Sequence, residues 1–473
     1  MGHSKHYFWS AIGQYGTQAL SFIGNVLIAR VLSPEDYGLI ALLALIIGLA
    51  NTFTDSGFSD CLIRKNEVDH EDYGTISSFN IGISSILYLL IFLTAPLIAD
   101  YFSKPELIKI SRLIGLSVIL RGLTLVPITK MRKELQFKSL AIMQMFSSLL
   151  SLALTYYLAV NHYGYWALAW QPVLWSLISI LCLIMIKRGP QFAFNVRKFR
   201  EMAGFSLNLL VSYLINQAEH NLYSIILGKS YPVSSLGFYN QAKRMTEIPV
   251  KGLNTVILTT SYPIISNEVR LIEQRNMYLN LFKLFQTVQA FMIFLLIGIA
   301  TPLWLFLLGQ KWLQSVEYFN LFVLSTLVYP FVTVNSNIIK IRNKSGLYRN
   351  LTFFRSSVHV LFLIIFARYS LEAVLYGQIA AAYITVLANM YLGGRLIDYG
   401  FKKQMILFLL VTLKPFIAFI LAQSLCYVIE SSVYLEGAIF LTVYSVLCVI
   451  IYVLTKDEII NEFYHKVCKL LKL

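Results

Sequence analysis

Charge is scarce in this sequence. Asp, Glu, Lys and Arg make up 13% of its 473 residues, about half the share found in soluble domains. That shortage excludes a water-exposed globular enzyme of this length. Cysteine is sparse and poorly placed for chemistry. Cys61, Cys182, Cys426, Cys448 and Cys468 are scattered with no C-x-x-C pair, so neither a zinc site nor a disulfide framework is expected. The G-x-S-x-G, H-E-x-x-H and Walker A patterns are missing, and every connection between apolar stretches is short. No catalytic residue, metal site or cofactor is expected, and the chain is not expected to be an enzyme or to hydrolyse ATP. No cleavable leader is expected either, because the first apolar stretch, after MGHSKHYFW, is too long and too polar for one.

What is present is apolar length. Hydrophobic residues make up 57% of the chain and aromatics 14%. A bilayer core about 30 Å thick needs roughly 20 apolar residues per helical crossing. Fourteen spans are expected, near 8–31, 37–59, 73–99, 107–129, 138–160, 164–187, 203–228, 236–262, 277–302, 316–339, 350–368, 371–394, 403–425 and 433–455. With the N-terminus in the cytoplasm, the termini and even-numbered loops hold 25 Lys and Arg residues and the odd-numbered loops hold 6. The positive-inside rule then places both termini in the cytoplasm. It also explains the net charge of +15 without a nucleic-acid partner. The connector 190–202 and the tail 457–473 mix Phe, Ile and Leu with Lys and Arg. They fit helices lying on an anionic leaflet, and equally well ordinary positive-inside anchors.

The chain echoes itself. A shift of 199 residues places Gln18 on Gln217, Arg30 on Lys229 and Gly38 on Gly237. A shift of 210 places Lys130-Met-Arg132 on Lys340-Ile-Arg342. The fold class read from this is an all-α polytopic membrane protein. It has two parallel six-helix repeats, 1–202 and 203–397, around a central cavity, followed by two additional helices and an interfacial tail in 398–473. Transporters of that design expose a site between their halves alternately to each side.

Polar groups inside the spans mark candidate sites, because a charge at the bilayer centre costs about 2.5–3.5 kcal/mol. Eight basic residues fall there: Arg112, Arg121, Lys243, Arg244, Lys251, Lys283, Arg355 and Lys414. Arg112, Lys283 and Arg355 lie close enough to span ends to snorkel, and Lys414 is read as lipid-facing. In span 8, Asn240, Lys243, Arg244, Glu247, Lys251 and Asn254 share one helical face, with Leu236, Met245, Ile248 and Leu253 expected opposite. Span 7 carries Asn208, Ser212, Asn216, Glu219 and Tyr223; span 1 carries Gln14, Gln18, Ser21 and Asn25; span 2 carries Asn51, Asp55 and Ser59. The span 8 stripe suits either a wet cavity or a cytoplasmic extension with solvated charges; the other stripes suit a wet cavity or, for their Asn, Gln and Ser members, helix–helix hydrogen bonding. The substrate-binding candidates are Lys243, Arg244 and Lys251, with Arg30, Lys229, Gln18, Asn216, Gln217 and Asn240. Asp55, Glu219 and Glu247 are candidates for coupling to a proton or Na+, since buried carboxylates bind protons reversibly.

The runs IGQYGTQALSF (12–22), IARVLSPEDYG (28–38), TDSGFSDCLIRK (54–65) and SSLGFYNQAKRM (234–245) resemble the polysaccharide transporter branch of the multidrug/oligosaccharidyl-lipid/polysaccharide exporter superfamily. These are the Wzx-type flippases of O-antigen (lipopolysaccharide), capsule and exopolysaccharide pathways. The resemblance implies a transporter of undecaprenyl-diphosphate-linked oligosaccharide repeat units in the bacterial cytoplasmic (inner) membrane. The resemblance also implies membrane lipids, a polysaccharide polymerase and glycosyltransferases as expected partners. A diphosphate finds natural partners in Arg and Lys, which suits the span 8 stripe. Two alternatives are a cation-coupled multidrug exporter of the same superfamily, which would favour an acidic cavity, and a membrane polysaccharide polymerase or ligase, which usually needs a sizeable external loop.

Overall fold

The computed structural model describes residues 2–65, 67–266, 270–342, 344–429 and 432–455. Among these residues it is helical, with no strand. The helices are α1 (Gly2–Val31), α2 (Pro34–Leu42), α3 (Ala44–Asp55), α4 (Phe58–Arg64), α5 (His70–Phe102), α6 (Glu106–Lys133), α7 (Phe137–Val160), α8 (Tyr165–Met185) and α9 (Val196–Ser230). There follow α10 (Val233–Ser266), α11 (Leu271–Gly298), α12 (Ala300–Leu307), α13 (Gln314–Ser325), α14 (Tyr329–Ile341), α15 (Ser345–Phe366), α16 (Leu371–Arg395), α17 (Phe401–Val428) and α18 (Val433–Leu454). The tail 457–473, including Cys468, lies outside the described residues.

Ten stretches among the described residues are long and apolar enough to cross a membrane, or eleven when the bent pair α2 and α3–α4 counts as one. The protein is a multi-pass membrane protein. Helices α1, α9 and α10, at 30, 35 and 34 residues, have the length but not the apolarity. Their polar stripes lower the hydropathy. The expected fourteen crossings require these three helices to cross as well. In α5, Leu90, Leu93 and Leu97 form an exposed apolar row, the side that hydrocarbon covers in a membrane.

Local sequence explains where helices start and break. Ser33 and Asp36 cap α2 reciprocally, with Pro34 in the first turn, and Asp69 and Asp72 cap α5 in the same way. The second expected span is not one helix. It bends by 44° after α2 and breaks again at Ser56 and Gly57, both left-handed with φ 49° and 72°. Residues 188–195 are not helical, so the connector is no interfacial helix over 190–202. Gly189-Pro190 disfavours one, and Asn195 caps α9 by accepting from the Arg197 and Lys198 amides.

Two compact units emerge, Met1–Gly237 and Phe238–Leu473. The repeat in the sequence divides at 202 instead; α9 packs with the first unit, against α3, α4 and α5. In the first unit Phe58, Leu62, Tyr73, Ile76, Val126 and Met202 form one apolar layer, and Ala50, Ile91 and Val118 form another. In the second, Phe282, Val328, Phe331, Val386 and Met390 pack together. There Pro330 has no N–H to return to Thr326, so the chain tightens into a 3-10 turn. Gln289 donates to the Thr326 carbonyl at 3.2 Å and Gln286 to the Leu327 carbonyl at 3.1 Å.

The echoing segments around residues 34–38 and 233–237 touch reciprocally. A Cβ on Gly38 would lie 1.9 Å from the Val233 carbonyl oxygen, and one on Gly237 would lie 1.8 Å from the Pro34 carbonyl oxygen. Only glycine allows backbones to approach this closely.

Candidate functional site

Between the two apolar layers of the first unit, α3, α5 and α6 build a polar layer. Gly122 lets α6 close on α5: a Cβ there would lie 2.5 Å from Ser84 Oγ and 3.0 Å from the Asn80 carbonyl. Asn80 is fully buried, and neither polar atom of its side chain has a partner in the structure. Asn51 Oδ1, Ser77 Oγ and Arg121 Nε are likewise buried without a partner. The Asp55 carboxylate acts electrostatically on Arg121, and it also accepts the Ser59 amide at 3.4 Å across the left-handed break. Asp55 therefore stabilises the start of α4 as well as facing a buried cation. An unsatisfied buried polar group costs about 1–3 kcal/mol, so this layer is built to take water or an ion. The sequence reading named Asp55 and Arg121 but missed Asn80. Its signal was present in Ser77, Asn80 and Ser84, spaced by three and four residues on α5.

In the second unit, the α10 stripe is partly solvent-facing. Arg244 is exposed; Asn240, Lys243 and Glu247 are half-buried; Asn254 accepts from Thr333 on α14 at 2.9 Å. Ile248 was expected on the opposite face, but it is exposed beside Arg244. Residues four apart share a face, so the apolar side is carried instead by Tyr239, Ala242, Met245 and Val250, all buried. Leu236, also expected opposite, is buried at the start of the helix. The side chains of Lys251, Asn216 and Glu219 lie outside the described residues.

The remaining candidates are spread apart. Gln18 and Arg30 are exposed on α1. Gln217 lies against Gly48 of α3. Lys229 donates to the Tyr101 carbonyl at 2.5 Å and lies over the Tyr101 ring, an anchoring role. Of the other basic residues in expected spans, Arg112 stacks on Phe92 at 4.0 Å. Lys414 is half-buried over the Tyr452 ring at 5.2 Å. It is not simply lipid-facing, because α17 packs on α18 and the ring shields its ammonium.

Loops grouped by their positive charge meet at one end of the first unit. Lys65 pairs with Asp72 at 2.8 Å, Arg188 with Glu134 at 2.8 Å, and Lys198 with Asp69 and Glu71. Lys133 donates to the Leu62, Ile63 and Lys65 carbonyls that end α4. The Lys198 ammonium holds the Asp69 carboxyl down at about 2. At the other end, Lys104 pairs with Glu35 at 3.7 Å.

This fold and composition have known relatives. The family model described as polysaccharide biosynthesis protein matches residues 27–317. The teichuronic acid biosynthesis protein TuaB of Bacillus subtilis is 24% identical over 78% of this chain and 76% of its own length. The succinoglycan biosynthesis transport protein ExoT of Rhizobium meliloti is 24% identical over 67% and 65%. The lipopolysaccharide biosynthesis protein WzxC of Escherichia coli is 25% identical over 54% and 52%. Among solved structures, the lipid II flippase MurJ in an inward closed conformation superposes with TM-score 0.75 at 15% identity, covering 94% of this chain and 98% of that one. An inward-facing multidrug resistance MATE transporter of the MOP superfamily gives TM-score 0.61 at 17% identity, over 82% and 99%. At such identities the structures establish the shared fold.

Proposed function

The chain belongs to the polysaccharide biosynthesis protein family, and from that premise we propose that it is a flippase for undecaprenyl-diphosphate-linked oligosaccharide repeat units. It works by alternating access in a bacterial cytoplasmic membrane, with both termini in the cytoplasm. The observation that carries this reading is the α10 stripe. An exposed Arg244 stands one residue from a half-buried Lys243, over a helix side closed by Tyr239, Ala242 and Met245. A diphosphate is the anionic part of such a substrate, and guanidinium and ammonium groups bind it with charge-assisted hydrogen bonds. Lys251, seven residues beyond Arg244, lies about 10 Å further along the axis and receives the other end of an extended headgroup. Glu247 between them tempers the positive field, so that the headgroup is released after each passage. Asp55, with Arg121 and Asn80, forms the station for a coupling proton or Na+.

The reading assigns transport and no bond-making chemistry, which separates it from a polymerase or ligase. A drug exporter for cations would place carboxylates, not Arg244, on the exposed side of α10. Purified protein in liposomes, supplied with a fluorescent diphosphate-linked oligosaccharide, tests both points. Transfer between leaflets without lengthening of the sugar is expected, and Arg244→Gln should abolish it while leaving the protein inserted. Full transfer by the Arg244→Gln and Lys251→Gln variants would remove the stripe from the mechanism.

A further inference from the structure

One end of the first unit carries two cavities that share basic residues. A cavity of about 1130 Å³ opens there, its three lysines Lys65, Lys130 and Lys133 outnumbered by the carboxylates Glu67, Asp69, Asp72 and Glu134. A smaller one of about 50 Å³ is lined by Tyr73, Pro127, Lys130, Lys187, Arg188 and Gln191. Tyr73 and Lys130 line both. Most charges around them are spoken for: Lys65 by Asp72, Arg188 by Glu134, and Lys133 by the carbonyls ending α4. Two ammonium groups are left. Lys130 Nζ lies 4.9 Å from the centre of the Tyr73 ring, with no carboxylate in ion-pair range among the described residues. Lys187 has no ion pair there either, and its backbone is held left-handed at φ 57° where α8 ends. Beside them, Gln191 Oε1 is buried and receives no hydrogen bond. Exposed Glu67 and His70 line the larger cavity only.

We infer that Lys130 and Lys187, which line the smaller cavity together with Tyr73, form a binding site for a phosphate group that bears neighbouring hydroxyls, with Gln191 accepting a hydrogen bond from a hydroxyl. Two unpaired ammoniums supply the charge for one phosphate. The Tyr73 face holds Lys130 in place before the anion arrives. An orphaned amide oxygen gains from a hydroxyl donor and nothing from a bare phosphate. The same chemistry occurs in the glycerol phosphate headgroup of an anionic lipid and in the first phosphosugar of a lipid-linked oligosaccharide. Only the second source rests on the transport reading.

Isothermal titration of the full-length protein in phosphatidylcholine nanodiscs tests the site with two probes, glycerol 1-phosphate and a short-chain diphosphate-linked N-acetylglucosamine. At least one should bind. The Lys130→Gln/Lys187→Gln variant should bind it about tenfold more weakly or worse, and Lys130→Arg/Lys187→Arg should restore it. Gln191→Leu should erase the preference for glycerol 1-phosphate over methyl phosphate. Every titration is made in the Arg244→Gln/Lys251→Gln background, so that anion binding at the α10 stripe does not enter the reading. Binding of glycerol 1-phosphate alone assigns the site to membrane lipid and survives failure of the transport reading; binding of the diphosphate sugar alone assigns it to the substrate. Failure of both probes on that background, or undiminished binding when Lys130→Gln/Lys187→Gln is added to it, overturns the inference.

Discussion

Replacing Gly38 by Ala places a methyl group 1.9 Å from the Val233 carbonyl oxygen, and the same change at Gly237 places one 1.8 Å from the Pro34 carbonyl oxygen. Carbon and carbonyl oxygen settle at about 3.3 Å, so each substitution must drive the two backbones apart by roughly 1.4 Å. The clashing oxygens are backbone atoms in the first turns of α2 and α10, and cannot rotate away as a side chain would. Overpacking of this kind costs about 1–3 kcal/mol. The two contacts are reciprocal: separation forced by one relieves the other. The double variant should therefore lose distinctly less than the summed losses of the two single variants. Unfolding of purified protein in detergent, followed by intrinsic tryptophan fluorescence, gives the three stabilities. Wild-type stability in Gly38→Ala, or strict additivity in the double variant, would refute the reciprocal contact.

Asp55→Asn keeps an oxygen to accept the Ser59 amide but removes the charge beside Arg121. It should cost stability, because the buried Arg121 loses its counter-charge, while transport in the inserted protein loses its dependence on the proton or Na+ gradient; unchanged dependence in a liposome assay takes Asp55 out of coupling. Gln289→Leu deletes the donor to the Thr326 carbonyl and should lower unfolding stability by about 1 kcal/mol, measured in detergent; a neutral result means that the 3-10 turn satisfies itself. Because Lys198 depresses the Asp69 carboxyl from 3.8 to about 2, the clasp contributes stability above pH 3.8 that fades as pH falls toward 2. Acid titration should show the wild type losing its advantage over Asp69→Asn in that window, and an advantage persisting at pH 2 contradicts the assignment.

Hydropathy made most helices legible, because an apolar run of bilayer length has few other folds available. It also made α1, α9 and α10 the hard cases, since their polar stripes lower their hydropathy. What escaped reading depends on the third dimension. Nothing local in TDSGFS announces that Ser56 as well as Gly57 turns left-handed, splitting a span at the residue expected to bind an ion. Lys414 looked lipid-facing because its shield, Tyr452, is on another helix. Ile248 was a misreading of periodicity: four residues from Arg244, it had to share that face.

The repeat is the place where sequence and structure inform one another most. A shift of 199 aligns Pro34 with Val233 and Gly38 with Gly237, and the structure puts Gly38 on Val233 and Gly237 on Pro34. Exchange of the two segments turns one contact into the other, as in an isologous interface between identical partners. Such a contact constrains both copies at once: a side chain at either glycine separates the pair. That explains why glycine stands at both positions while the surrounding residues, SPEDY and PVSSL, differ. The matching fourth-span lysines follow a looser rule. Lys130 rests on Tyr73 and Lys340 on Tyr348, tyrosines that the shift of 210 does not align. Each unit has found its own ring for an ammonium that the positive-inside rule alone would leave in water. At Gly38 and Gly237 the backbone contact requires glycine on both sides, whereas the lysines are restrained only by charge and a nearby aromatic face, and each rests on a tyrosine of its own.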